Sequence, residues 1–133
     1  SGIGFGSADY CASTGGDMGK DSLAYGRGKI INAAALYNTL ALDGVWLDFK
    51  DADGCRAETE YVKSMGFKGR FAIHPDQIDP IHDAFNPSKE ELEWAKGVLE
   101  EAKTAGTGAF KFQGRMVDAP VLSVARLIIS REG

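Results

Sequence analysis

The chain has 133 residues, enough for one compact domain and short of two. Hydrophobic residues make up 44% and charged residues 26%, an ordinary globular balance. The net charge of −4, with 15 Lys and Arg spread along the chain, excludes nucleic acid as a bulk electrostatic partner, and no stretch approaches the roughly 20 apolar residues of a membrane helix.

The chain opens on Ser1-Gly2-Ile3-Gly4-Phe5-Gly6. Ile3 to Gly6 reads as the end of a buried strand followed by a glycine-rich turn. A domain rarely begins there, so the N-terminus is expected to be processed or preceded by further residues. No charged segment followed by an apolar one marks a signal peptide. Cys11 and Cys55 are isolated from each other, which predicts free thiols in a reducing, cytoplasmic setting. Cys11 to Ser22 is small, polar and glycine-rich and predicts a loop. Ala24 to Leu42 predicts a helix, with Ile30, Ile31, Ala34, Leu36, Tyr37 and Leu40 on one broad face. Gly44 to Phe49 predicts an apolar strand that ends in acidic residues. Asp53 to Met65 predicts an amphipathic helix stopped by Gly66.

Arg70 to Ile73 predicts another short strand, closed at His74-Pro75 because proline has no ladder donor. A short helix is expected from Gln77 to Ala84. Ser88 and Glu91 have capping-box spacing ahead of a helix with Leu92, Ala95, Val98, Leu99 and Ala102 on its apolar face. Gly106 and Gly108 end it. Ala109 to Val117 predicts a hairpin turning at Gln113-Gly114. The last helix, Ala119 to Arg131, is apolar nearly all round, which predicts burial, including against another chain. Strands that alternate with helices predict right-handed βαβ units and a parallel sheet. Three strands are few for such a sheet, and a (β/α)₈ barrel takes about 250 residues. The expected architecture is α/β, the last part of a TIM barrel over residues 1–106, with a C-terminal extension over 107–133.

Polar residues collect where strands end, the edge that carries chemistry in barrels and open sheets. Asp9 there suits either a Mg²⁺ ligand or a carboxylate that satisfies turn amides. The run Asp43, Asp48, Asp51, Asp53 reads as a solvated loop with Asp51 or Asp53 capping the next helix, or as a chelator. His74 fits a structural ring bonded to backbone as well as a catalytic one. Asp118 precedes Pro120 in the last helix's first turn, as an N-cap does, and a cap is free to act as an acid or base as well. The alternating Gly2, Gly4 and Gly6 miss the dinucleotide fingerprint, and Gly26 to Lys29 is not a Walker A loop.

Several stretches together carry a family resemblance. They are GFGSADY (from Gly4), YGRGKIINAAALYNTLALDGVWLDFKDADGCRAE (from Tyr25), MGFKGRFAIHPDQIDPIHDAFNPSKEELEWAKGVLEEA (from Met65) and GRMVDAPVLSVARLIISR (from Gly114). In order and spacing they resemble the citrate lyase β-subunit and malyl-CoA lyase family over nearly the whole chain. The resemblance implies a (β/α)₈ barrel of which this chain covers strands six to eight and the C-terminal extension. It implies Mg²⁺ as cofactor and cleavage or formation of a carbon–carbon bond between an acyl-CoA thioester and a 2-oxo acid, with malyl-CoA- or citryl-CoA-like substrates. It matches Asp9 to a metal-binding Asp, Ile73 and His74 to the segment against the thioester, and Asp118 to an acid/base carboxylate that serves a neighbouring subunit. A homo-oligomer, trimer or hexamer, is therefore expected. Arg27 matches a recurrent Arg without an assigned role. Ala8 stands where the family often has an acidic residue, and the second metal carboxylate would lie ahead of Ser1. The alternative is a non-catalytic fragment, or a half-barrel completed by another chain.

Overall fold

The structure, a computed structural model, describes residues 1–106 and 108–132. Thr107 and Gly133, the bounds expected of the extension, lie outside the described residues. The chain divides into two compact units, Ser1–Phe85 and Asn86–Gly133.

The first unit is built on a three-stranded sheet of β1 (Gly2–Gly4), β2 (Leu40–Asp43) and β3 (Gly69–Arg70), in that order and all parallel. Helices α1 (Ser7–Thr14) and α2 (Lys20–Leu36) connect β1 to β2, and α3 (Ala52–Met65) connects β2 to β3. A 3-10 turn, Pro75–Gln77, and α4 (Ile78–Phe85) follow. The pleat sends alternate residues to opposite faces. Ile3 lies opposite Ala41 in the ladder, and both join the core formed with Phe5, Leu23, Ala34, Val62 and Phe67. Gly2, Gly4, Leu40 and Leu42 belong to the other face.

Four expectations are corrected here. Cys11 to Ser22 is not one loop: α1 runs to Thr14, Gly15 (φ +75°) ends it, and α2 begins at Lys20. Cys11 is buried in the core, so this glycine-rich stretch hides a short helix with little apolar period. The helix expected to Leu42 stops at Leu36. Asn38 takes a left-handed conformation (φ +48°), which Asn tolerates better than most residues. The Thr39 N–H then donates to the Ala34 carbonyl (2.9 Å), and the apolar run Leu40 to Leu42 becomes the strand. Gly44 to Phe49, expected as that strand, is the loop after it. The third strand is likewise shorter than expected, Gly69–Arg70, with Phe71 adding one further ladder bond to the Asp43 carbonyl (3.2 Å).

A network of buried charges lies between the sheet and its helices. Arg27 on α2 donates from Nε and Nη2 to the two carboxylate oxygens of Asp43, each at 3.1 Å. Its Nη2 also donates to Glu58 of α3 (3.2 Å). Arg70 of β3 meets the same Glu58 and lies 3.4 Å from Asp43. Two guanidinium and two carboxylate groups make the set neutral. Arg27 and Asp43 are 1% and 0% exposed. Burial opposes the Arg27 charge, but hydrogen bonds to Asp43 and the charges of Asp43 and Glu58 outweigh it, holding its pKa above the ordinary arginine range.

The second unit packs α5 (Lys89–Ala105) against α6 (Ala119–Ile129), with a hairpin of β4 (Phe110–Phe112) and β5 (Arg115–Val117). The expected capping box is present: the Ser88 hydroxyl accepts from the Glu91 N–H (3.1 Å), and the Glu91 carboxylate accepts from the Ser88 N–H (2.8 Å). Gln113 and Gly114 both take positive φ (47° and 78°), the geometry of a two-residue hairpin turn whose twist matches its strands. Ala95, Val98, Val117 and Ala125 are the buried centre, and the Phe112 ring lies on Gly97. Val124, Leu127 and Met116 remain exposed.

Removing one member of the charge network strands a buried charge. Arg27→Ala is expected to cost about 3–5 kcal/mol in urea unfolding. Arg56→Ala, which breaks the exposed Arg56–Asp83 pair, should cost no more than about 1 kcal/mol. Equal losses would contradict the network's role.

Candidate functional site

The C-terminal ends of β1 and β2 open into a cleft of about 320 Å³, lined by Gly4 to Asp9, Gly44, Val45 and Phe71. Its shape follows from small residues. A Cβ on Gly44 would stand 2.2 Å from Ser7 Oγ and 2.9 Å from the Phe5 carbonyl, so only glycine lets the two loops approach. A Cβ on Gly4 would stand 2.8 Å from the Phe71 ring, so the ring rests on bare backbone. Ser7 is 3% exposed and its hydroxyl is unpartnered.

Asp9 sits in the first turn of α1, where the helix dipole favours a negative charge. It is exposed, and Oδ2 folds back toward Gly6. The helix has no side-chain cap at Gly6. Asp9 is therefore an open oxygen donor on a fixed turn. Among the described residues no three His, Cys, Asp or Glu side chains converge as a metal cluster. Asp9 is the one carboxylate among the residues that line this cleft.

The other acidic residues separate by role. Asp43 is locked in the charge network. Asp48 accepts from the Lys50 N–H (3.1 Å) in a tight turn. Asp51 caps α3 by accepting from the Gly54 N–H (2.9 Å), one of the two caps expected.

Ile73 and His74 follow Phe71 after Ala72. The Ile73 side chain is exposed, and its N–H donates to Gln77 Oε1 (2.9 Å). His74 begins the 3-10 turn, its Nδ1 accepting from the Asp76 N–H (3.3 Å). Its ring stacks on Phe49, with centroids 4.7 Å apart and planes 23° apart. Both residues stand at the sheet's C-terminal end, though neither lines the cleft around Asp9. Asp118 belongs to the second unit, where it caps α6 by accepting from the Val121 N–H (3.3 Å).

Sequence reasoning passed over Phe71, Ser7, Gln77 and the partners of Arg27. Arg27 did leave a signal. It falls on the stripe Leu23, Gly26, Arg27, Ala34, all buried, and a charge on a buried stripe needs partners. Both cysteines are free and buried, and burial raises the Cys55 thiol pKa, which leaves it a poor nucleophile.

Comparison with known proteins now fixes the family. The HpcH/HpaI aldolase/citrate lyase family matches residues 1–75. The chain belongs to that family. It is 37% identical over 131 residues to the mitochondrial citramalyl-CoA lyase of Rattus norvegicus, covering 95% of this chain and 39% of that protein. It is 37% identical over 139 residues to a citrate lyase subunit beta-like protein of Mycobacterium tuberculosis, covering 99% of this chain and 50% of that protein. The crystal structure of M. tuberculosis CitE in complex with magnesium, acetoacetate and coenzyme A superposes with a TM-score of 0.85 at 36% identity, over 98% of this chain and 51% of that one. This family member thus spans half or less of the curated relatives it matches. No helix among its described residues is long and apolar enough to cross a membrane.

The cleft depends on Gly44. Gly44→Ala is expected to cost about 1–3 kcal/mol through overpacking against Ser7 and Phe5, measured by urea unfolding. A neutral substitution would show that the two loops are not pressed together.

Proposed function

We propose that the chain is the C-terminal part of a Mg²⁺-dependent carbon–carbon lyase that acts on a CoA thioester, of malyl-CoA or citryl-CoA type, giving acetyl-CoA and a 2-oxo acid. The observation that carries this reading is Asp9, an open carboxylate in a cleft at the C-terminal ends of parallel strands. The complex of CitE with magnesium, acetoacetate and coenzyme A supports it. Three parallel strands in sequential order, joined by helices, fit strands six to eight of a (β/α)₈ barrel.

A single exposed carboxylate with room around it suits Mg²⁺, which takes oxygen ligands and keeps some positions for substrate. Asp9 would be one such ligand, and the rest would come from outside these residues. The chemistry a bound Mg²⁺ supplies is Lewis-acid polarisation of an oxygen on the acid half. In cleavage, a base removes the hydroxyl proton, the carbon–carbon bond breaks to a 2-oxo acid and a thioester enolate, and an acid protonates the enolate carbon. Asp118 is the residue we assign to that proton transfer, and its cap bond fixes one carboxylate oxygen while it acts. Ile73 and His74, at the same end of the sheet, are assigned to the thioester. Exposed Val124, Leu127 and Met116 support assembly as a homo-oligomer, trimer or hexamer, in which the second unit serves a neighbour's site. Free, buried thiols support a cytoplasmic setting. With one metal carboxylate, the 133-residue chain alone is expected to be inactive.

Asp118→Asn separates the two roles of that residue, because Asn caps a helix as well as Asp does. In the full-length protein it should leave thermal unfolding unchanged and lower kcat by about 10²–10⁴. Unchanged turnover would remove Asp118 from the mechanism. Asp9→Asn should abolish the response of activity to added Mg²⁺. A normal Mg²⁺ titration in that variant would remove Asp9 as ligand.

A further inference from the structure

Phe71 is a large apolar side chain, 47% exposed, that lines the same cleft as Asp9, the one carboxylate in that lining. Its position is not accidental slack. Its N–H is tied to the Asp43 carbonyl, one step beyond the β2–β3 ladder. Its ring reaches across the sheet to Gly4 on β1, where a Cβ would lie 2.8 Å from Cε2 and 3.1 Å from Cζ. Gly44, its neighbour on the β2 side, adds no side chain between them. Backbone and ring are thus both held, and the free face of the ring forms a wall of the cleft that contains Asp9.

We infer that Phe71 selects the 2-oxo acid, and this rests on the function proposed above. An acid whose oxygens are held at Asp9 places the group on its carbonyl carbon within the same cleft as the ring. The ring accepts hydrogen or a short alkyl group there. It crowds out a longer chain. It also disfavours a second carboxylate, because an apolar wall strips water from a charge and returns no hydrogen bond. The substrate class is a 2-oxo acid with a small apolar substituent, of which pyruvate is the test case. Ser7, whose hydroxyl turns toward Gly44, leaves the ring as the larger determinant of space.

The test uses the full-length protein with Phe71→Ala and Phe71→Leu. Condensation with acetyl-CoA is measured for pyruvate, 2-oxobutyrate and oxaloacetate, and binding of each acid is measured by calorimetry. Wild-type protein should prefer pyruvate over both others. Phe71→Ala should raise the 2-oxobutyrate-to-pyruvate ratio of kcat/KM about tenfold, the scale of one methylene in an apolar pocket. The ratio of affinities should move the same way, and Phe71→Leu should fall between. Phe71→Leu keeps an apolar side chain, so it remains informative if Phe71→Ala unfolds. Unchanged ratios in an active variant would overturn the inference while leaving the lyase reading in place. A wild-type protein that turns over none of the three, and does not turn over glyoxylate either, would overturn the lyase reading, and the inference with it.

Discussion

The first unit depends on the neutral set of Arg27, Asp43, Glu58 and Arg70. It joins α2, β2, α3 and β3. Four ionised groups out of water are costly, and the cost is offset only where geometry is good. Here Arg27 grips Asp43 with two bonds, and Arg70 adds donations to Thr59 Oγ1 (3.2 Å) and to the Gly44 carbonyl (3.0 Å). An apolar core of the same volume would fill the space. It would not specify which turn of α2 faces which residue of β2, since methyl groups pack in many registers and a guanidinium fork meets a carboxylate in few. The network therefore reaches the cleft directly: Arg70 holds the carbonyl of Gly44, the residue against which Ser7 packs.

What was legible in the sequence was local. The Ser88–Glu91 capping box, the Asp118 cap with Pro120 behind it and the Gln113-Gly114 turn are each closed by atoms a few residues apart. Their chemistry is written in adjacent letters. Asp9, read as a residue that ends a strand, stands instead in the first turn of the helix after β1. The boundary between α2 and β2 was not legible. Helices commonly stop at glycine, and here Asn38 does that work between two apolar runs, Ala33 to Tyr37 and Leu40 to Leu42. The short helix Ser7–Thr14 was missed because its helical period is weak and its stability comes from Cys11 packing into a core assembled from distant segments. Phe71 was invisible as a site residue for a similar reason. The seat of its ring depends on Gly4, far away in sequence, being bare.

Under the function proposed above, residues with structural duties in each unit would also serve chemistry. Asp118 caps a helix and retains a second carboxylate oxygen. His74 starts a turn through Nδ1 and keeps Nε2 and a ring face. Asp9 occupies a first helical turn that would welcome any carboxylate. In each case part of the side chain's bonding capacity remains open. Such residues look bland to pattern reading because their structural duty accounts for their position. Their exposure is what separates them from Asp43, whose capacity is entirely spent on neighbouring arginines.

Gln77 carries a consequence for how this protein can vary. It is buried, its Nε2 donates to the Trp46 carbonyl (2.7 Å), and its Oε1 accepts from the Ile73 N–H (2.9 Å). One amide thus stitches the loop after β2 to the segment after β3. An insertion in either loop would pull that stitch and leave buried polar atoms bare. The two loops are consequently bound to change length together or not at all, so diversity among relatives at this corner should come by substitution, with gaps pushed to the loops that no such stitch secures.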